Sequence, residues 1–189
     1  MINRARIADS PTVHPVPYPR PRCSPPPGWH PIGPLGNTDP EVWRTLSAGE
    51  PLDIPGIGTE FMHHVHADDV AHAFEAAIAH REAAAGEDFT VVTPTALNVR
   101  GYAHIAAAWF GRTADLRTIT WDQFRSTHRD PEAAQASWDH LVRNHAFTID
   151  KARRLIGYAP RYEPQEAVLE SVRWLIGNGR LPVAGPLKV

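Results

Sequence analysis

The prolines of this chain constrain its fold most, because they are crowded at one end. Ten of the 19 lie between residues 1 and 34. Proline fixes φ and donates no backbone hydrogen bond, so such a stretch builds neither a helix nor a central strand. Residues 1–26 are expected to be extended or disordered. A ligand for an SH3-like partner is the functional alternative for this segment. The folded chain is expected to begin beyond it.

Length and charge bound the rest. At 189 residues there is enough chain for one ordinary domain, or one and a fragment. Hydrophobic residues make up 42% and charged residues 21%, as in soluble globular proteins. A net charge of -2 offers no electrostatic footprint for nucleic acid or an anionic membrane. The single cysteine, Cys23, cannot form an internal disulfide, and nothing near it supplies a metal set, which points to a reducing cytoplasm. Apolar runs such as 105–110 fall far short of the roughly 20 residues of a membrane span, and the N-terminus has no apolar signal-peptide core.

From residue 38 the pattern is that of a domain. Thr38 or Asp39 opens a helix with Pro40 at its first position and Val42, Trp43 and Leu46 on its inner face, and Gly49 ends it. Residues 51–55 and 60–66 read as two strands joined by the turn Gly56-Ile57-Gly58. Asp68 or Asp69 is expected to cap a helix that buries Val70, Ala73, Phe74, Ala77 and Ile78 and ends near Gly86. Residues 89–93 read as a buried strand, Val99 to Phe110 as a helix closed by Gly111, and 116–120 as an alternating strand. Helices are expected over 131–144, with Ala134, Trp138, Leu141 and Val142 inward, over 149–155 with a stop at Gly157, and over 164–176, with Ala167, Val168, Val172, Leu175 and Ile176 inward. Short strands among helices, few in βαβ spacing, predict a small α+β lobe (mixed α/β).

Four segments then carry a resemblance: Pro27-Gly28-Trp29 through Gly36-Asn37; His66-Ala67-Asp68-Asp69-Val70-Ala71; Gly86-Glu87-Asp88-Phe89 with Val91-Val92; and Asp150-Lys151-Ala152 with Leu155 to Pro160, then Glu166 and Trp174. In this order and separation they resemble the C-terminal, substrate-side portion of NAD-dependent epimerase/dehydratases, the extended short-chain dehydrogenases. The resemblance covers residues 27–181 and leaves 182–189 as a flexible tail. It implies a substrate-binding lobe without its Rossmann half. It also implies substrate contacts from Trp29, His30, Asn37 and Trp43, and a strand-to-helix corner built on His66, Asp68 and Asp69. The carboxylates there suit free N–H groups and the positive end of a helix, and His66 suits a hydrogen bond to backbone or carboxylate.

Hydride chemistry in that family needs a glycine-rich strand-to-helix turn for the cofactor pyrophosphate and a Tyr-x-x-x-Lys acid/base pair. These 189 residues contain neither. The only lysines are Lys151 and Lys188, and neither lies four residues after a tyrosine. The resemblance therefore implies a truncated or mis-started product that binds no cofactor alone, where a full-length relative would use NAD or NADP. In keeping with this, the proline-rich stretch stands where the family has an apolar strand. The arginine that sugar-nucleotide epimerases carry four residues before the motif histidine is Met62 here. That removes a bidentate phosphate clamp, so the expected partner is a small molecule other than a nucleotide sugar. Loss of the docking half would leave an apolar face open to self-association.

Two other readings compete. His64-x-His66-x-Asp68-Asp69 also resembles the metallo-β-lactamase signature, which would make the chain a zinc-dependent hydrolase using His64, His66 and Asp68. Alternatively the chain is a non-catalytic binding module.

Overall fold

A computed structural model describes the backbone of residues 3–6 and the whole of residues 31–189. Among these residues eight helices and six short strands follow in the order β1 (Asn3–Arg6), α1 (Glu41–Ala48), β2 (Leu52–Pro55), β3 (Phe61–Met62), α2 (Ala67–Ala79), α3 (Arg81–Ala84), β4 (Asp88–Val91), β5 (Leu97–Asn98), α4 (Val99–Trp109), β6 (Leu116–Ile119), α5 (Trp121–Thr127), α6 (Pro131–Leu141), α7 (Asp150–Ile156) and α8 (Pro164–Gly177). The fold class is mixed α/β. The elements fall into two compact units.

The first unit gathers His63–Ala96 and Ala146–Ala167 with the N-terminal residues. Strand β4 pairs antiparallel with β1, Asn3 opposite Val91 and Arg6 opposite Asp88. A strand thus stands at residues 3–6, inside the stretch expected to be extended or disordered; the rest of 1–26, including Cys23, lies outside the described residues. The core of this unit is Phe89, Val91 and Val92 from β4 and the residue after it, Ala73, Ala76 and Ala77 from α2, and Ile149, Ala152, Ile156 and Tyr158 around α7. The stop at Gly157 is as the sequence predicts: it lies at φ 67°, a left-handed conformation that glycine adopts at no steric cost, and its N–H returns to the last turn of α7.

Helix α2 departs from the expected pattern. Its buried residues are Asp69, Ala73, Ala76 and Ala77, whereas Phe74 and Ile78 are exposed, Ile78 by 66%. The helix is apolar on more than one side, so periodicity cannot choose its inward face. The choice is made by Asp69, whose carboxylate is tied inside the unit and turns the alanine stripe inward with it. The helix also ends earlier, at Ala79, and the separate turn α3 precedes Gly86.

The second unit comprises Pro27–Met62, Leu97–His145 and Val168–Val189. Its core is built on Trp43, which meets Tyr102 edge-on at 6.2 Å and stacks on Trp109 at 6.4 Å. Leu46, Ile54, Met62, Leu141, Val172, Leu175 and Leu181 close around these rings. The two strands expected on either side of Gly56–Gly58 do not pair with each other. Strand β2 instead pairs in parallel with β6, and β3, reduced to two residues, pairs antiparallel with β5. The glycine turn redirects the chain onto the start of α4, where Arg100 N–H bonds to the Gly58 carbonyl at 2.9 Å.

Helix α5 was not foreseen from the sequence; a capping box formed by Thr120 and Gln123 starts it. Helix α6 buries Ala134, Ser137 and Leu141, while Val142 is 51% exposed. In α8, Val168, Leu169, Val172 and Leu175 are buried, and Ala167 and Ile176 lie only partly so. Residues 182–189, expected as a flexible tail, lie against the core: Val183 and Leu187 pack on it, and Lys188 N–H donates to the Trp109 carbonyl at 2.7 Å.

Candidate functional site

The strand-to-helix corner of the first unit collects most of the residues the sequence singles out. His66, and neither aspartate, is the N-cap of α2: it has extended backbone, and its Nδ1 accepts the Asp68 N–H at 3.1 Å. Its ring stacks on Tyr162 with centroids 3.8 Å apart and planes 20° from parallel, and Asp68 Oδ2 lies 3.8 Å away at the surface.

Asp69 turns the other way. It is fully buried; Oδ1 accepts the Arg161 N–H at 2.9 Å and Oδ2 accepts the Tyr162 N–H at 3.2 Å, with the Arg161 Nε at 3.7 Å. A buried carboxylate needs such donors to offset its lost hydration. It thereby ties the link after α7 to the start of α2. The same link carries Tyr158, whose hydroxyl donates to the Val92 carbonyl at 3.3 Å. Burial first, and the Asp69 charge second, push the phenol well above its ordinary range, so Tyr158 is a neutral donor and no acid/base candidate.

The neighbouring residues are equally committed to structure. His63 Nε2 accepts the Phe147 N–H at 2.8 Å, and burial lowers the pKa of this ring. The His64 carbonyl lies 3.0 Å from the Thr93 hydroxyl, which is also 2.7 Å from the Thr95 carbonyl. Among the described residues no group of three His, Cys, Asp or Glu side chains is placed to hold a metal ion. The zinc set of His64, His66 and Asp68 is therefore not assembled, because the His66 lone pair is spent on its own helix and the ring lies flat on Tyr162.

The residues expected to touch substrate divide differently. Trp29 and His30 lie outside the described residues. Asn37 is 2% exposed; its amide nitrogen donates to Ser137 Oγ at 2.8 Å and sits 3.3 Å from the Ala133 carbonyl, and its oxygen accepts the Asp39 N–H. Trp43 is fully buried between Tyr102 and Trp109, its indole N–H without an acceptor among the described residues. Both side chains lie in the core of their unit, where sequence reading expected substrate contacts. Met62 is likewise buried, so its position offers no contact to a phosphate. The exposed member of that strand is Phe61, whose N–H is held by Asn144 Oδ1 at 2.9 Å. Sequence reading missed Asn144, Arg161 and Tyr162, since the first announces itself only by its positive φ of 42° and the other two act through backbone N–H groups.

Comparison with known proteins places this geometry. No protein-family model matches the chain. The uncharacterized protein y4nG of Sinorhizobium fredii is 29% identical across 67% of this chain and 33% of its own length. Among solved structures, the epimerase Mth375 of Methanothermobacter thermautotrophicus matches with a TM-score of 0.54 and 25% identity, over 75% of this chain and 38% of that one. Pal from Bacillus thuringiensis matches at 0.52 with 16% identity, over 79% and 42%. The UDP-glucuronic acid 4-epimerase of Bacillus cereus, solved with UDP-glucuronic acid and NAD, matches at 0.51 with 16% identity, over 72% and 38%. The chain thus shares the fold of part of these proteins, two of them epimerases, and spans a third to two-fifths of the length of the proteins it matches.

Proposed function

We propose that the chain is the substrate-side lobe of an NAD-dependent epimerase/dehydratase-type protein, and that its own residues perform no hydride transfer. The likeness to the Mth375 epimerase, over three-quarters of this chain but 38% of that one, carries the reading. The sequence agrees with it: no glycine-rich cofactor turn and no Tyr-x-x-x-Lys pair occurs in the 189 residues, and without them neither the pyrophosphate cradle nor the acid/base of such a reaction is present. NAD or NADP is then a cofactor of the longer architecture, bound by residues other than these. The lobe would meet an uncharged or small polar substrate, because the phosphate-clamping position is a buried methionine. Cytoplasmic residence fits the lone cysteine, and no helix among the described residues is long and apolar enough to cross a membrane.

Calorimetric titration of the purified chain with NAD and NADP, followed by UDP-glucose, tests this. No heat of binding is expected from any of the three. Saturable NAD binding would sink the lobe assignment, and saturable UDP-glucose binding would sink the substrate class while leaving the lobe standing.

A further inference from the structure

In the second unit the C-terminal residues line a half-open cavity of about 210 Å³ at the ends of two helices. Ser47, Phe110, Arg112, Gly185, Pro186 and Lys188 are among its lining residues. Helix α1 ends at Gly49, φ 75°, and α4 is closed by Gly111, φ 69°. A Cβ at Gly49 would lie 3.3 Å from Arg112 Cδ, and one at Gly111 would lie 3.1 Å from Lys188 Cγ. The two left-handed glycines therefore leave room for the aliphatic stems of two cations to lie across the helix ends.

Cations at helix C-termini are often there for the helix alone. Arg112 serves that role with one donor, its Nε bonding to the Ser47 carbonyl at 3.3 Å. The rest of its fork and the Lys188 ammonium have no acidic partner among the described residues. No acidic side chain lines the cavity, and the Gly185 N–H in its wall has no acceptor among the described residues. The Ser47 hydroxyl is spent on the Arg44 carbonyl at 2.9 Å, which leaves two cations without acidic partners and a backbone N–H around a small hollow as the donor set for a compact oxyanion. The cavity is below the ~300–1,000 Å³ of drug-sized sites, and Phe110 and Pro186 give it one apolar wall.

We propose that this cavity is an oxyanion site that takes a phosphate, either free or as the phosphoryl end of a small molecule. It stands independently of the epimerase reading. The test is thermal unfolding and calorimetry on the full chain at low ionic strength with inorganic phosphate and, separately, phenyl phosphate, against chloride at matched ionic strength. A ligand that binds only the folded state raises Tm with its concentration. Both phosphates are expected to raise Tm where chloride does not. Tighter binding of phenyl phosphate would identify a phosphoryl compound using the apolar wall, and equal binding would identify the free ion. Lys188→Ala keeps the backbone bond to Trp109 and should weaken binding about tenfold; Arg112→Lys, which keeps the charge but not the fork, should weaken it less. A Tm rise no larger than that with chloride, or one unchanged in Lys188→Ala, would overturn the proposal.

Discussion

The carboxylate of Asp69 accepts the backbone N–H of Arg161 at 2.9 Å, across 92 positions of sequence. With its second oxygen on the Tyr162 N–H, it fixes both the path of the link after α7 and the rotation of α2. Asp69→Asn replaces one acceptor oxygen with an NH₂ facing an N–H donor. We expect a loss of about 2–4 kcal/mol, the range for a buried, charge-assisted bond broken with its partner left unsatisfied. Urea unfolding should resolve it, with Asp68→Asn, at the surface, changing stability by less than about 0.5 kcal/mol.

His66 is an N-cap that uses a ring nitrogen. His66→Ala should cost about 1 kcal/mol from the unmet Asp68 N–H, plus what the Tyr162 stacking contributes. His66→Asn restores a capping oxygen without the ring, so it should recover the capping part alone. Thermal melts of the three proteins separate the two contributions; equal melting of the Asn and Ala variants would show that capping contributes nothing.

Asn144 holds φ 42° and accepts the Phe61 N–H. Asn144→Gly relieves the backbone cost while losing the bond, and is expected to change stability by less than about 1 kcal/mol. Asn144→Ala keeps the strain and loses the bond, and should cost about 1–2 kcal/mol more. Chemical denaturation that ranks Ala at or above Gly would contradict this account of the turn.

His140 has a pKa pushed down to about 4, by burial first and then by positive neighbours that include Arg143 and His145. The folded state thus binds fewer protons than the unfolded state between about pH 6.5 and 4. Stability is therefore full above the unfolded value and falls as pH drops through that window. His63, also lowered, adds in the same direction. The loss attributable to His140 should be on the order of 2 kcal/mol between pH 7 and 4, and His140→Gln should flatten that part of the profile. Denaturant midpoints at a series of pH values would show it.

Phe74 and Ile78 stand one turn apart on the outer side of α2, 38% and 66% exposed. If this face drives self-association, light scattering should show the parent chain associating at concentrations where Phe74→Glu with Ile78→Glu remains monomeric. A parent chain that is monomeric throughout would remove the face from consideration.

Features written in adjacent residues were legible in the sequence. Gly49 and Gly157 stop their helices because a left-handed turn belongs to glycine itself, and Pro131 and Pro164 start theirs because φ is already set. The mixed α/β class and the likeness to part of an epimerase were legible for the same reason, since ordered local segments carry them. Tertiary structure alone decided which way each element faces and which it pairs with. Asp69 rotates α2 through bonds to residues far along the chain, so Phe74 and Ile78 lie outside although their spacing suits the core. Strand β2 finds β6 in place of its neighbour β3, because the glycine turn at 56–58 is held by the start of α4. Trp43 and Asn37, polar enough at one end to suit a ligand, are spent on packing and on Ser137. Hydrogen-bond donors and flat rings serve a core as well as a substrate, and only the partners they meet in space tell the two uses apart.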